Sequence, residues 1–209
     1  MPVIHREHIT GDSELALWKV TESNDELISL LNKKGKYPDI PFFRNPSRLA
    51  EWLAARALLA ELGVKQRVGY DEHGKPHLEG AGLYLSISHS HGFIAVIISK
   101  KNRVGIDIEQ TGDRIHRVSH KFVNESEKAW LPEINNTLHL YVIWGAKECA
   151  FKIYGYGSVD FKDHLEVRPF ELNSKGHTSV IFKKDLNPCE YRVFFQSLEN
   201  MMITYAIAE

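Results

Sequence analysis

Cysteine is nearly absent. Cys149 and Cys189 are the only two in 209 residues, and they lie too far apart to make a metal-type spacing. That excludes a disulfide framework or a zinc-ribbon pattern and fits a reduced, cytosolic setting. Net charge is absent too: 26 basic against 27 acidic residues leave −1. Bulk attraction to nucleic acid is therefore not indicated, and a charged partner must be met by a local patch. No apolar run reaches the length of a membrane span. No apolar leader follows Met1 either, because His5, Arg6, Glu7 and His8 interrupt the start. Solenoid repeats and low-complexity tails are missing. A hydrophobic fraction of 43% and a charged fraction of 25% belong to an ordinary globular protein, one generous domain or two small halves packed together.

Two short segments stand out from this plain background. In Val104-Gly105-Ile106-Asp107-Ile108-Glu109, apolar residues alternate with Gly105, Asp107 and Glu109. As a strand this buries one face and turns both carboxylates to the other, about 7 Å apart. In Trp144-Gly145-Ala146-Lys147-Glu148-Cys149-Ala150-Phe151-Lys152, Glu148 and Lys152 are four apart and share a helical face with Trp144. Each segment has an ordinary reading, a solvated strand face and a surface ion pair. Taken together, three carboxylates and a lysine outline an oxygen-lined site for a hard divalent ion and a phosphate ester.

The rest of the chain supplies the frame. Ser47 to Leu62 reads as a helix, with Pro46 at its start, Gly63 just past its end and a stripe of Leu49, Trp52, Leu53, Ala57 and Ala60. Arg56 lies at the edge of that stripe, where it fits a snorkelling arginine as well as an anion ligand. From Leu83 to Glu109 the pattern predicts a three-stranded meander, with turns at His89–Gly92 and Lys100–Arg103. In such a meander Ser88 and His89 leave the sheet at the same edge as Asp107 and Glu109. A short helix is expected near Glu125–Leu131, stopped by Pro132. Gly145 inside the following helix weakens it by roughly 1 kcal/mol against alanine, a hint that something approaches closely. Strands near Val159–Val167, Thr178–Phe182, Tyr191–Gln196 and Met202–Ala208 form a second meander. Helix followed by meander thus occurs twice. The expected architecture is α+β, with two pseudo-twofold-related subdomains, 1–109 and 110–209, each a meander packed with helices, and the active site at their junction.

These residues resemble the 4′-phosphopantetheinyl transferases, specifically the longer monomeric kind that activates surfactin synthetase. Val104 to Glu109 is similar to the family's Val/Ile-Gly-x-Asp-x-Glu. Trp144, Lys147, Glu148 and Lys152 resemble its Trp-x-x-Lys-Glu-x-x-x-Lys. Gly74-Lys75-Pro76, Ile87-Ser88-His89-Ser90 and the helix around Arg56 follow the family order, so the resemblance runs from about Arg48 to Lys152. Gly145 and Cys149 stand where the family more often has Ser or Thr, and Ala or Ser. The resemblance implies transfer of the phosphopantetheine arm of coenzyme A to a carrier-protein serine, releasing adenosine 3′,5′-bisphosphate. It implies Mg²⁺, with Mn²⁺ an alternative, on Asp107, Glu109 and Glu148. It also implies Glu148 as base and Lys152 and His89 at the reacting phosphates. Arg56, Gly74, Lys75, Pro76 and Ser88 would complete the coenzyme A site.

The partner the resemblance implies is an acidic acyl or peptidyl carrier protein, with neither nucleic acid nor membrane, served by a cytoplasmic monomer. Arg114, His116, Arg117, His120 and Lys121 offer a basic patch for it, with Arg114, Arg117 and Lys121 on one helical face. A plain solvated helix face has the same spacing. Other uses of the same acid cluster are a Mg²⁺-dependent phosphoesterase acting on coenzyme A and a non-catalytic coenzyme A or carrier-binding module.

Overall fold

In the computed structural model, which describes residues 3–35, 39–80, 82–184 and 188–208, the chain divides into two units, 1–101 and 102–209. The first unit holds β1 (Val3–Thr10), β2 (Ser13–Lys19), α1 (Asn24–Lys33) and α2 (Pro46–Glu61). It continues with β3 (Val68–Tyr70), β4 (Pro76–Leu78), β5 (Tyr84–Ser90) and β6 (Phe93–Ser99). Its antiparallel sheet runs β1-β2-β6-β5, and β3 and β4 form a separate hairpin. The strand β6 is buried at every position, as the near-continuous apolar run Phe93–Ile98 requires.

Helix starts in this unit are written in their caps. Ser23 and Glu26 close a capping box on α1, while the Asn45 side chain accepts from Ser47 N and Pro46 opens α2. Three alanines, Ala54, Ala55 and Ala57, sit among the buried residues of α2 beside Leu53 and Leu58. They form one core with Leu27 and Leu31 of α1, Trp18 of β2, and Ile94 and Val96 of β6.

The second unit holds β7 (Val104–Gln110), α3 (Arg114–Val118), a single 3₁₀ turn at Ser119–Lys121, α4 (Glu125–Lys128) and α5 (Thr137–Tyr154). Four strands follow: β8 (Leu165–Val167), β9 (Lys175–Phe182), β10 (Cys189–Leu198) and β11 (Met201–Ile207). Its antiparallel sheet runs β7-β11-β10-β9-β8. The helix α5 buries Val142, Ile143, Ala146 and Ala150 in a core with Val180, Phe182, Val193, Phe195, Met202 and Ala206.

The α+β class and the second meander agree with the sequence, but the first meander does not. The strand β7 leaves β5 and β6 and pairs with β11, Asp107 opposite Thr204. The reason lies in β2, a strand the apolar pattern did not bring out: it takes the second edge of β6, so β6 has no edge left for β7. The expected common edge for Ser88, His89, Asp107 and Glu109 therefore does not follow from strand order. The division of the chain falls between Lys101 and Asn102. The first sheet is not a run of consecutive strands, and it differs from the second in strand number and order.

Candidate active site

Close backbone approach builds the acidic site in the second unit. A Cβ on Gly105 would overlap the Cys149 carbonyl oxygen, and one on Gly145 would overlap Thr204 Oγ1. Bare glycines thus let β7 and β11 lie against α5 with almost no spacing, the approach hinted at by Gly145. The alternation of β7 does the rest: Ile106 and Ile108 are buried on one face, and the other turns Asp107 towards Lys152.

Lys152 Nζ donates to Asp107 Oδ1 at 2.8 Å and to the Ile106 carbonyl at 2.7 Å. Asp107 is 6% exposed. Burial opposes the Lys152 charge, but Asp107 and Glu148 outweigh it and the ammonium is held above its ordinary value. Glu148, one turn earlier on α5, behaves oppositely. Burial pushes its carboxyl up to about 7; Lys152 pulls it down, and Asp107 and Glu109 push it further up. Glu109 pairs with Arg114, Nη2 to Oε2 at 2.8 Å. Arg114 is raised by its hydrogen bond with the Tyr141 hydroxyl against a burial penalty, with Glu109 adding to the rise.

These carboxylates are hard oxygen donors of the kind Mg²⁺ takes. In donor chemistry the residues fit a divalent cation. Among the described residues, no three His, Cys, Asp or Glu side chains are gathered as a ready-made ligand cluster. Lys152 and Arg114 hold Asp107 and Glu109 instead.

The remaining candidates lie in the first unit. Gly74, at φ +78°, turns the β3–β4 hairpin, and Asp71 Oδ1 accepts from His73 N and Lys75 N. Those backbone bonds hold the Asp71 carboxyl below its ordinary value, Lys75 N first. Lys75 and Pro76 are half-buried beside the turn. On β5, Ser88 is buried and His89 exposed. His89 Nε2 lies 3.0 Å from Arg48 Nη1, and His89 Nδ1 lies 3.5 Å from Glu51 Oε2. Arg48 itself pairs with Glu51 at 3.0 Å.

The guanidinium of Arg56 is spoken for. It lies flat on Trp52, 3.4 Å from the ring centroid, and donates to the Trp52 carbonyl at 3.2 Å. Burial lowers its basicity, while the Tyr70 hydroxyl works against that. It lines a cleft of about 350 Å³ with Lys65, Arg67, Leu59 and Val68.

Two groupings escaped the sequence. Arg48 and Glu51 lie three apart on α2, and the fold brings His89 to them. Lys147 was noted as part of a motif without a role. The structure buries it completely with Glu127; its place on α5 beside the apolar positions Ile143, Ala146 and Ala150 was the available signal.

Residues 103–206 match the model of the 4′-phosphopantetheinyl transferase superfamily. This stretch is a domain of that superfamily. It contains Asp107, Glu109, Glu148 and Lys152, every member of the acidic site. Among curated relatives, the 4′-phosphopantetheinyl transferase gsp of Aneurinibacillus migulanus is 26% identical over 145 residues, 66% of this chain and 58% of that protein. The 4′-phosphopantetheinyl transferase AcpT of Salmonella typhimurium is 40% identical over 79 residues, 36% of this chain and 41% of that protein. AcpT of Escherichia coli O157:H7 is 31% identical over 115 residues, 52% of this chain and 59% of that protein. The chain thus spans about half the length of the curated relatives it matches. Among the described residues, no helix is long and apolar enough to cross a membrane.

Proposed function

We propose that the protein is a 4′-phosphopantetheinyl transferase of the longer monomeric type, acting in the cytoplasm. It moves the phosphopantetheine arm of coenzyme A onto a serine of an acidic acyl or peptidyl carrier protein. One observation carries the reading. Within the superfamily stretch, α5 presents Glu148 and Lys152 on one face, and Lys152 is bonded to Asp107 on β7.

The serine hydroxyl attacks the phosphorus that bears the pantetheine arm. The bond from that phosphorus to the oxygen of adenosine 3′,5′-bisphosphate breaks, and the serine proton passes to Glu148. In the metal-free site a carboxyl held at about 7 is half ionised at neutral pH and so able to accept a proton there. Lys152, kept charged by Asp107 and Glu148, stabilises the departing phosphate. Asp107, Glu109 and Glu148 are the residues that would hold Mg²⁺ or Mn²⁺, which when bound supplies charge neutralisation on the phosphates.

In the first unit His89, Ser88, Lys75 with Pro76, and the Gly74 turn are the coenzyme A contacts of this reading. For the 3′-phosphate there are two candidates. Arg56 follows from the family pattern. Arg48 is favoured by its contact with His89 and its exposed guanidinium. The exposed cations Arg117, His120 and Lys121 are the docking surface for an acidic carrier, with His116 bonded to Thr137 at its edge. Arg114, pinned to Glu109, belongs to the site more than to that surface.

Mass spectrometry of an apo-carrier incubated with coenzyme A, Mg²⁺ and the protein tests the reading. The expected result is a gain of the phosphopantetheine mass, lost with chelator and restored by Mg²⁺ or Mn²⁺. Hydrolysis of coenzyme A with no gain on any carrier would replace the transferase by a phosphoesterase.

A further inference from the structure

Lys147 and Glu127 are both wholly buried, and the mechanism uses neither. All three protons of the Lys147 ammonium have acceptors: the Glu127 carboxylate, with Nζ 2.8 Å from Oε1 and 2.9 Å from Oε2, the Phe122 carbonyl, and the Phe161 carbonyl at 2.9 Å. The same carboxylate accepts from Asn124 N at 2.9 Å and Val167 N at 2.8 Å. The pair therefore ties α5 to α4, to the chain at Phe122 and at Phe161, and to β8. Trp144, one turn before Lys147, grips the same two residues by their rings. Its centroid lies 5.2 Å from that of Phe122 and 5.4 Å from that of Phe161. Phe122 and Phe161 thus hold α5 twice, through their carbonyls and through their rings.

A buried ion pair is a poor source of net stability, since desolvation offsets most of its attraction and an apolar pair of the same size is often as stable. What it supplies is direction: every donor and acceptor is saturated in one geometry only. Successive residues of an α-helix are set about 100° apart around its axis, so seating Lys147 fixes where its neighbour Glu148 points, and with it Lys152 one turn on.

We infer that Lys147, Glu127 and Trp144 form a rotational clamp on α5, and that they are positioning residues which aim Glu148 and Lys152 at the reacting phosphate. The inference rests on the transferase reading for its kinetic consequence and on the geometry alone for its mechanical one.

The test is the double variant Lys147→Met with Glu127→Gln, which removes both charges together and leaves no buried ion alone, with Trp144→Phe as a milder variant should the double one fail to fold. Both are compared with wild type in three measurements: transfer kinetics, thermal unfolding and amide hydrogen exchange. A helix whose catalytic face is mis-aimed should lose kcat by at least about tenfold, keep its KM for coenzyme A and exchange faster over Glu148–Lys152 at an unchanged Tm. A folded variant with wild-type kcat and wild-type exchange in α5 would overturn the clamp. If the wild-type protein itself transfers nothing, the transferase reading fails; faster exchange in the variant then still supports the clamp, and unchanged exchange refutes it.

Discussion

Thr204 fills the space in which a side chain on Gly145 would lie. A Cβ there would overlap its hydroxyl oxygen, and the Cys149 thiol donates to the Thr204 carbonyl at 3.3 Å. Gly145 and Cys149 are the two positions where α5 departs from the family pattern, and both meet this one residue of β11. Thr204 in turn stands opposite Asp107 in the ladder, so the departures are accommodated directly behind the acidic site.

That relationship predicts compensation. Gly145→Ala gains about 1 kcal/mol of helix propensity and meets overpacking of about 1–3 kcal/mol, so it should lower stability or leave it flat. Adding Thr204→Ala should reverse the loss and expose the propensity gain. Denaturant unfolding of the two single variants and the double measures the coupling, and strict additivity would show that the two residues do not compete for space. Gly105→Ala has no such rescue, because its obstacle is the Cys149 backbone.

The Glu148 carboxyl, held at about 7 chiefly by burial in the metal-free protein, makes stability depend on pH. As the proton acceptor of the proposed reaction it should also be indispensable, so Glu148→Gln should abolish transfer. Between the unfolded value near 4.5 and about 7 the folded state holds the proton that the unfolded state has lost, so metal-free protein becomes less stable as pH rises across this window. Glu148→Gln should remove that slope and be more stable than wild type at pH 8, on the order of 2–3 kcal/mol. Equal pH slopes for the two proteins in urea unfolding would refute the assignment.

Arg48 and Arg56 predict different losses. Arg48→Ala should weaken coenzyme A by about tenfold and leave its 3′-dephospho analogue nearly untouched, one charge-assisted hydrogen bond being worth about 1.5–3 kcal/mol. Arg56→Ala should lower stability, because it strips the stacking partner from Trp52. Titration calorimetry with both ligands decides which arginine meets the 3′-phosphate; selective loss in Arg56→Ala would return that role to Arg56.

The exposed cations predict a kinetic split. Arg117→Glu with Lys121→Glu should raise KM for the carrier and flatten its dependence on salt, while KM for coenzyme A holds. Arg114→Ala should instead lower kcat, since it frees Glu109 from its 2.8 Å partner. Wild-type carrier kinetics at low salt in the double variant would move the docking surface elsewhere.

Local rules were legible in the residues. Pro46 and Gly63 bracket α2, the alternation from Val104 to Glu109 became β7, and the i,i+4 spacing set Glu148 and Lys152 together on α5. Gly145 was readable as a point of close approach because a glycine inside a helix has a conformational cost that packing must offset. What could not be read is the choice of strand partner. Chain proximity favours joining β7 to β6, and only the presence of β2 on the far edge of β6 diverts it to β11. The Arg48–His89 contact was hidden for the same reason: the two residues belong to different elements, and nothing in the spacing of either encodes their meeting.

The pairing of β7 with β11 also orders events during synthesis. Asp107, Glu148 and Lys152 leave the ribosome well before Met201–Ile207, yet among the described residues β7 is an edge strand that pairs with β11 alone. A nascent chain therefore carries every acidic group of the site while the strand that holds Asp107 in register is still untranslated. The acidic site is completed by β11, so a chain stopped before that strand leaves Val104–Gln110 without its partner, however well its first unit has already folded.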